Sequence, residues 1–331
     1  MSKWTSKDIP SQRGRVAIVT GTGGLGLETA LALARAGASV VIAGRNPAKG
    51  AKAVAAISDG VPNADIRFGL IDLASLESVA RFAADIADTC DAVDLLVNNA
   101  GVMTPPKHRE TQDGFELQFG TNYLGHFALT GHLLPLLKNG REPRVVTLGS
   151  VAARSGAIDF DNLQAEKGYR AFRAYGQSKL ACIMFAFELN RRCRAAGLDI
   201  KSLAAHPGIS RTDLIPNGSG ASSVAGRIRQ YLWFLYQPVW QGALPTLFAA
   251  TDPEARPGAY YGPDGLAGIR GYPVEERAPV RALDADVAAR LWRRSEMLTG
   301  IHFFQPQELR GDIGAHGGLD HGLGHAAGLA Y

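Results

Sequence analysis

The chain has 331 residues, of which 46% are hydrophobic and 20% charged, with a net charge of +4; this balance is typical of a globular protein and excludes a largely disordered one. No run of lysines and arginines is long enough to line a nucleic-acid groove, and no segment reaches the roughly 20 apolar residues that span a bilayer. The polar N-terminus lacks the apolar core of a signal peptide, and Cys90, Cys182 and Cys193 have no zinc-binding or CxxC spacing. We therefore expect a cytoplasmic protein with reduced thiols, no metal site, no transmembrane segment and no nucleic-acid partner.

Apolar runs and amphipathic segments alternate from residue 15 onward. Strands are predicted at 15–20, 38–43, 66–70, 93–97, 144–148, 200–204 and 259–261, and helices at 25–35, from 47, at 75–89, 114–137, around Tyr175, at 241–251 and 284–298. Nearly all-apolar strands separated by helices require a parallel sheet covered on both faces, because both sides of each strand are buried. The pattern predicts an α/β protein with one Rossmann-type domain, a doubly wound parallel sheet with helices on both faces.

A glycine-rich loop joins the first strand to the first helix. Gly21, Gly23 and Gly26 satisfy the pattern GxGxxG, within the run Gly21-Thr22-Gly23-Gly24-Leu25-Gly26. Between a strand and a helix, such glycines let the backbone approach a pyrophosphate, which then lies at the helix N-terminus. A purely structural tight turn is the alternative, but the alternating fold around the loop favours a dinucleotide site.

The end of the second strand carries basic residues and no acid. An NAD site would place an acidic side chain there for the ribose 2′-hydroxyl, whereas an arginine would accommodate a 2′-phosphate. Arg45, Asn46 and Lys49 follow this strand, and no Asp or Glu occurs between Glu28 and Asp59. Solvated surface charges would explain the basic residues but not the missing acid, so we predict NADP(H) in preference to NAD(H).

Tyr175 and Lys179 are four residues apart on a predicted helix and therefore lie on one face. A lysine ammonium beside a phenol favours the phenolate and lowers the pKa of the tyrosine, which makes it a usable proton donor or acceptor. Taken alone, the pair is better explained by an ordinary surface helix. The other tyrosines have no lysine at this spacing; Tyr169 is followed by Arg173.

Four markers in order make the chain resemble the short-chain dehydrogenase/reductase superfamily over about residues 14–300. They are the glycine loop after Thr20, the run Asn98-Asn99-Ala100-Gly101, Ser150, and the Tyr175/Lys179 pair. The chain is most similar to the branch of retinol dehydrogenases and protochlorophyllide reductases. That likeness depends on Asn122-Tyr-Leu-Gly-His-Phe127, the 25-residue separation of Ser150 from Tyr175, Tyr175-Gly-Gln-Ser-Lys-Leu180, and His206-Pro-Gly208 with Thr212.

The resemblance implies a role for each marker. Tyr175 would be the general acid or base, Lys179 would bind the nicotinamide ribose and depress the pKa of Tyr175, Ser150 would hold the substrate carbonyl, and Asn122 would support a proton relay. The other implied cofactor contacts are Asp72 and Leu73 at the adenine, Asn99, Ala100 and Gly101 along the cofactor, and Pro207, Gly208, Ile209 and Thr212 at the nicotinamide end. Members of the superfamily often form homo-oligomers through two long helices, here 114–137 and 175–194.

The glycine loop departs from the family pattern. The family usually places three residues between its Thr-Gly pair and the following Gly-x-Gly, whereas here only Thr22 and Gly23 separate Thr20-Gly21 from Gly24-Leu25-Gly26. The loop is one residue short, which changes the set of backbone N–H groups that can reach the phosphates.

The remaining domain boundaries follow from composition and from the resemblance. We predict an N-terminal arm at 1–14, the oxidoreductase domain at 15–298 with a substrate lid at about 210–240, and a Gly/His-rich tail at 299–331. The lid aromatics would line an apolar pocket, pack as a satellite core, or form a dimer contact; they are Tyr231, Trp233, Phe234, Tyr236 and Trp240. The tail histidines lie among glycines that give no rigid ligand geometry.

The expected function is an NADP(H)-dependent oxidoreductase that interconverts a hydrophobic secondary alcohol and ketone, or an alcohol and aldehyde, with Tyr175 as general acid/base. Two alternatives remain: a non-catalytic NADP-binding sensor or scaffold, motivated by the short loop, and a reductase of C=C double bonds.

Overall fold

The computed structural model describes residues 3–209 and 237–304. Thr212, the aromatic residues between 231 and 236, most of the predicted lid and the histidines beyond 304 lie outside the described residues. Within the described ranges, no helix has the length and apolarity needed to span a membrane.

The described residues form an eight-stranded sheet in the order β3-β2-β1-β4-β5-β6-β7-β8. The strands are β1 (Val16–Thr20), β2 (Ser39–Gly44), β3 (Ile66–Leu70), β4 (Leu95–Asn98), β5 (Arg144–Leu148), β6 (Lys201–Ala205), β7 (Tyr260–Pro263) and β8 (Pro273–Glu275). All neighbours pair in parallel except β8, which runs antiparallel to β7. The predicted doubly wound parallel sheet is confirmed.

Helices cover both faces of this sheet. They are α1 (Gly24–Arg35), α2 (Pro47–Gly60), α3 (Leu76–Ala87), α4 (Gly125–Lys138), α5 (Ala171–Ala195), α6 (Val239–Gly242), α7 (Leu244–Thr251) and α8 (Ala285–Thr299). Strand residues such as Ile18, Leu96 and Val145 are fully buried between the helical layers. This two-sided burial explains why the strands read as apolar runs rather than alternating patterns.

The helix predicted from Gly114 begins later than expected. Gly114 has a φ of +79°, and Glu116 forms a β-bridge with Glu110, so the first residues of the predicted helix are not helical. A π-helical segment, Phe119–Leu124, then precedes α4. The buried Glu116 carboxylate accepts a hydrogen bond from the Phe119 N–H at 2.7 Å and so caps this helical entry.

Two further differences lie near the C-terminus. The helix predicted at 241–251 is two helices, α6 and α7, and strand β8 has no counterpart among the predicted elements. Only three residues form β8, of which Pro273 alone is buried, so the segment lacks the apolar run that identified the other strands. Its pairing with β7 comes from tertiary structure rather than from local pattern.

An aromatic cluster joins α8 to α4 and α5. The ring centroid of Trp292 lies 5.0 Å from that of Phe127 in α4 and 5.7 Å from that of Phe185 in α5. Phe303, beyond the end of α8, lies 4.8 Å from Phe127. The packed chain thus extends past residue 298, and part of the α4 and α5 surface is covered by the chain's own C-terminal segment. An oligomer through these two helices remains a prediction.

The N-terminal segment also packs against the domain. The Trp4 ring lies 5.3 Å from Phe248 of α7, and the Gln12 N–H donates to the Ala36 carbonyl at 2.8 Å. Residues 3–14 therefore contact the core of the domain rather than projecting from it.

The sheet order creates a crevice between β1 and β4. From β1 the chain proceeds to β2 and β3 on one side, and from β4 it continues to β5 and β6 on the other. Loops leaving the carboxyl ends of these two strands diverge, and ligands of open α/β sheets bind at such a switch point.

Candidate active site

A cleft of about 300 Å³ lies at this switch point. Eight residues expected to contact a cofactor line it: Gly21, Arg45, Asn46, Lys49, Asp72, Leu73, Ala100 and Gly101. Six residues that the sequence did not single out also line it: Thr22, Ala43, Gly44, Ile71, Val102 and Thr121. The elements that follow β1, β2, β3 and β4 thus contribute to one site.

The glycine loop turns tightly over the end of β1. Gly21 has a φ of +101°, and a Cβ there would lie 2.6 Å from the Asn99 side-chain nitrogen. A Cβ at Gly26 would collide with the Gly21 carbonyl, so both positions need glycine for close approach. Although the loop is one residue short, Gly23 is the N-cap of α1 and the helix starts at Gly24. The Gly26 N–H donates to the Gly23 carbonyl at 3.2 Å. The N–H groups of Gly24 and Leu25 precede the first helical hydrogen bond and suit an anion.

Thr20 ties the glycine loop to the opposite wall of the cleft. Its hydroxyl oxygen accepts from the N–H groups of Asn99 at 2.9 Å and Ala100 at 3.0 Å. The Asn99 amide also donates to the Thr20 carbonyl at 2.6 Å. The preceding Asn98 is fully buried and donates to Thr130 and Thr147. The two asparagines therefore have different tasks: Asn98 joins core elements, and Asn99 fixes the loop.

The end of β2 presents positive charge to the cleft. Arg45 and Lys49 are exposed and line it. Asn46 lines it as well, and its side-chain oxygen caps α2 by accepting from the Lys49 N–H at 3.0 Å. Asp72 is the acidic member of the lining, but it follows β3 and its carboxylate accepts from the Ala74 N–H.

The residues present suit a dinucleotide. Glycine at positions 21 and 26 lets the loop pack against Asn99 and against itself, and the start of α1 offers N–H groups that suit an anion. The Thr121 hydroxyl is buried, lines the cleft and has no hydrogen-bond partner among the described residues. A buried polar group is normally paired, so this hydroxyl is available to a ligand.

Tyr175 and Lys179 lie one turn apart in α5 and are 7% and 6% exposed, respectively. The Lys179 ammonium donates to the Leu148 carbonyl at the end of β5, at 2.9 Å. It also lies 3.8 Å from the position that a Cβ would occupy at Gly101. α5 therefore carries the lysine across the carboxyl end of the sheet to the wall of the cleft.

Ser150 follows β5 and begins a short 3-10 helix, Val151–Ser155. Its hydroxyl accepts from the Ala152 N–H at 3.2 Å. Gly156, at the end of this helix, packs so closely on α5 that a Cβ there would collide with the Gly176 carbonyl. This glycine contact brings the segment that follows Ser150 against the turn of α5 that carries Tyr175.

Asn122 is fully buried in the π-helical segment. Its side-chain oxygen accepts from the Val102 N–H at 2.7 Å, and its amide donates to the Val102 carbonyl and to Ser178, both at 3.0 Å. Its backbone carbonyl lies 2.9 Å from Nδ1 of His126 and 3.2 Å from the Cys182 thiol, which donates to it. Asn122 thus joins the loop after β4 to α5.

His126 was not singled out by the sequence, yet it is 2% exposed and lies between Thr20 and Asn122. Burial lowers the pKa of its imidazole to about 4; the hydrogen bond to Asn122 opposes that shift and the Lys179 charge adds to it. The ring is therefore neutral at physiological pH.

The segment 207–209 does not line the cleft described above. Gly208 has a φ of +61°, and its N–H donates to Nδ1 of His206 at 3.2 Å. His206 is buried, and its Nε2 lies 3.2 Å from a Glu276 oxygen. The Ile209 N–H donates to the Ile269 carbonyl at 2.8 Å. These contacts attach the segment to the β7–β8 region, and its expected contact with a nicotinamide remains a prediction.

The known proteins that are similar to this chain include dehydrogenases. A model of the family described as short chain dehydrogenase matches residues 15–219. Retinol dehydrogenase 13 of Homo sapiens is 40% identical over 298 residues, covering 87% of this chain and 85% of the relative. Polyprenol dehydrogenase of Mus musculus is 39% identical over 301 residues, covering 88% of this chain and 86% of the relative.

Solved structures agree with these relatives. An uncharacterized protein from Mycobacterium Paratuberculosis is 38% identical, with a TM-score of 0.76 over 92% of this chain and 100% of that one. RhlG of Pseudomonas aeruginosa, solved as an active-site complex with NADP, is 25% identical, with a TM-score of 0.60 over 76% of this chain and 95% of its own.

Proposed function

The chain belongs to the short-chain dehydrogenase family, in its retinol-dehydrogenase-like branch, and on that premise we propose that it interconverts a hydrophobic alcohol and its carbonyl compound with NADP(H). Family membership makes the protein an oxidoreductase. The identity of the cofactor, the substrate class and the roles of individual residues belong to the proposal.

The position of Lys179 carries the proposal. Its ammonium lies at the carboxyl end of β5 and beside Gly101, a lining residue of the nucleotide cleft. Tyr175 is one helical turn away on the same buried helix. An ammonium next to a cofactor cleft, with a phenol one turn from it, suits proton transfer to or from a substrate oxygen.

Each catalytic side chain has a distinct task in this proposal. When bound, NADP(H) supplies or accepts the hydride. Tyr175 removes the hydroxyl proton in oxidation and returns it in reduction. Lys179 stabilises the Tyr175 phenolate and orients the ribose. Ser150 donates a hydrogen bond to the substrate oxygen, and Asn122 holds the loop after β4 against α5.

The preference for NADP(H) rests on Arg45 and Lys49. Both line the cleft next to the end of β2, where a ribose 2′-phosphate would lie. No carboxylate follows β2 to accept from a 2′-hydroxyl, since Asp72 follows β3 and its side chain accepts from Ala74. The NADP held by RhlG is in keeping with this choice.

The substrate class is proposed from the relatives. The retinol and polyprenol dehydrogenases are named for isoprenoid alcohols whose hydroxyl is primary and allylic. We propose the same class here, which sharpens the sequence-based expectation of a hydrophobic secondary alcohol or an alcohol/aldehyde pair.

The test follows NADP⁺ reduction by absorbance with all-trans-retinol and a short polyprenol as substrates. Tyr175→Phe removes the proton acceptor and is expected to lower kcat/KM by roughly 100-fold or more. Tyr272→Phe makes the same chemical change at a residue that neither lines the cleft nor belongs to α5, and it should retain full activity.

Equal turnover by Tyr175→Phe and the wild-type protein would overturn the mechanism. NADPH binding without turnover of any alcohol or carbonyl would support the sensor alternative. A product with a saturated C=C bond and an intact carbonyl would identify a double-bond reductase.

A further inference from the structure

The imidazole of His126 connects two hydrogen-bonding groups next to the cleft, the Thr20 hydroxyl and the Asn122 carbonyl. Nε2 of His126 lies 2.9 Å from the Thr20 hydroxyl oxygen, and Nδ1 lies 2.9 Å from the Asn122 carbonyl oxygen. Thr20 and His126 are 106 residues apart in the chain. The ring thus spans from the end of β1 to the π-helical segment that carries Asn122.

The surroundings determine which nitrogen carries the proton. The Asn122 carbonyl can only accept, so Nδ1 must donate to it and Nε2 must be the acceptor of a neutral ring. The Thr20 hydroxyl then donates its one proton to Nε2 at 2.9 Å, the nearer of its two acceptors, since the Val97 carbonyl lies 3.3 Å away. Its two lone pairs accept the N–H groups of Asn99 and Ala100, at 2.9 and 3.0 Å. Every site on this hydroxyl is used.

The opposite tautomer is excluded by the same contacts. With the proton on Nε2, the Nδ1 lone pair would face the Asn122 carbonyl lone pair at 2.9 Å, which is repulsive. Thr20 would also have to accept three N–H groups with two lone pairs. The network therefore has one consistent direction, from the N–H groups of Asn99 and Ala100 through Thr20 and His126 to the Asn122 carbonyl.

We propose that His126 is a positioning residue that acts separately on cofactor binding and on proton transfer, through its two nitrogens. Nε2 orients the Thr20 hydroxyl, which fixes Asn99 and Ala100 against the glycine loop. Nδ1–H donates to the backbone carbonyl of Asn122. The Asn122 side chain accepts a hydrogen bond from the Val102 N–H and donates one to Ser178 of α5. The second half of this inference rests on the proposed function, whereas the first half concerns binding alone.

The two halves can be separated because each ring nitrogen has an amide mimic. In His126→Asn the amide N–H takes the place of Nδ1–H, so the bond to Asn122 is retained, whereas Thr20 loses its nearer acceptor and keeps only the Val97 carbonyl at 3.3 Å. In His126→Gln the longer amide puts its oxygen at the place of Nε2, so the Thr20 bond is retained and the Asn122 bond is lost. His132, on the exposed side of α4, provides matched controls with the same two substitutions.

The expected results differ between the two variants. His126→Asn should raise the Kd for NADPH, measured by fluorescence titration, by about fivefold, the equivalent of one hydrogen bond, and leave kcat within about twofold. His126→Gln should leave the Kd within about twofold, lower kcat by about fivefold or more, and shift the pH profile of kcat. Both His132 variants should behave as the wild-type protein.

The proposal would be overturned if His126→Asn and His126→Gln changed Kd and kcat to the same extent. It would also be overturned if both His126 variants behaved like the His132 variants. If the wild-type protein turns over no alcohol, the proposed function fails. The binding half is then still decided by whether His126→Asn weakens NADPH binding more than His126→Gln does.

A measurement on the unaltered protein does not depend on how the variants fold. The ring ¹⁵N chemical shifts of His126 should report a protonated Nδ1 and an unprotonated Nε2 between pH 6 and 8. Protonation of Nε2, or exchange between the two tautomers, would contradict the assigned network and the proposal with it.

Discussion

In the proposed complex with NADP(H), Arg45 is the side chain that distinguishes the two dinucleotides, because a guanidinium can bind a 2′-phosphate in a bidentate manner. Arg45→Ala should raise the Kd for NADPH about tenfold or more, which corresponds to a charged hydrogen bond of about 1.5–3 kcal/mol. The Kd for NADH should stay within about twofold.

Lys52→Ala is the matched control for Arg45, since Lys52 is an exposed cation of α2 that does not line the cleft. Isothermal titration with both dinucleotides makes the comparison. A proportional loss of both affinities in Arg45→Ala would mean that this arginine does not discriminate between them.

His126 should make the stability of the protein depend on pH. Its folded-state pKa of about 4 is below the unfolded value of 6.5, so the unfolded chain binds a proton that the folded protein refuses. The stabilisation is fully present above pH 6.5 and is lost as the pH falls to about 4, to an extent of about 3 kcal/mol.

Urea unfolding of the wild-type protein and of His126→Asn at several pH values measures this contribution. The difference in the free energy of unfolding between the two proteins should be constant above pH 6.5 and should shrink between pH 6.5 and 4. A difference that stays constant over that interval would contradict the lowered pKa.

At the scale of single residues, sequence reasoning finds groups whose chemistry is visible in a short motif. Tyr175 and Lys179 lie four residues apart, and Arg45 stands directly after an apolar strand. Thr20 and His126 escape it because their significance depends on partners far along the chain; the Thr20 and Asn99 contact spans 79 residues. Thr121 escapes it because only the fold shows that it lines the cleft. The string Asn122-Tyr-Leu-Gly-His-Phe127 contains His126, but only the fold shows which groups its nitrogens meet.

Among the elements, the 3-10 helix Val151–Ser155 and α5 meet at two glycines, and their separation sets the relation of Ser150 to Tyr175. Gly156→Val should force these elements apart, because its Cβ would collide with the Gly176 carbonyl. A displacement of about 1 Å in a catalytic group can lower kcat by about 100-fold.

Ala157→Val is the control for Gly156→Val, since the neighbouring residue is exposed. Steady-state kinetics, with the Kd for NADPH measured in parallel, distinguishes an effect on the catalytic residues from an effect on the nucleotide cleft. A fall in NADPH affinity with an unchanged kcat would place the effect of Gly156 at the nucleotide cleft instead.

Element boundaries show where local pattern is insufficient. The parallel strands were predictable, because burial on both faces leaves a continuous apolar run. The start of the helix predicted at Gly114 was wrong, since Gly114 adopts positive φ and a β-bridge holds Glu116. β8 was missed because its three residues form no apolar run, and the segment becomes a strand only through its hydrogen bonds to β7.

For the molecule as a whole, Trp292 anchors the C-terminal segment to α4 and α5. It is 1% exposed and contacts Phe127, Phe185 and Phe303. Trp292→Ala should lower the free energy of unfolding by about 3–5 kcal/mol, through the loss of buried apolar area and the cavity that remains.

Trp240 makes the control, since it is 48% exposed and Trp240→Ala removes little buried surface. Its effect should stay within about 1 kcal/mol in the same urea experiment. Equal destabilisation by the two substitutions would show that the aromatic cluster does not carry the stability assigned to it.

The position of β1 in the sheet has a consequence for biosynthesis. β2 protects one side of β1 early, but the other side must wait for β4, whose Leu95 pairs with Ala17. While the ribosome has made only the first 90 residues, β1 is an apolar strand with an open edge, which is a template for aggregation. The glycine loop exists at that stage without the opposite wall that Asn99 and Ala100 provide, so a nascent chain cannot gain stability from the nucleotide until this second half of the crevice has been synthesised.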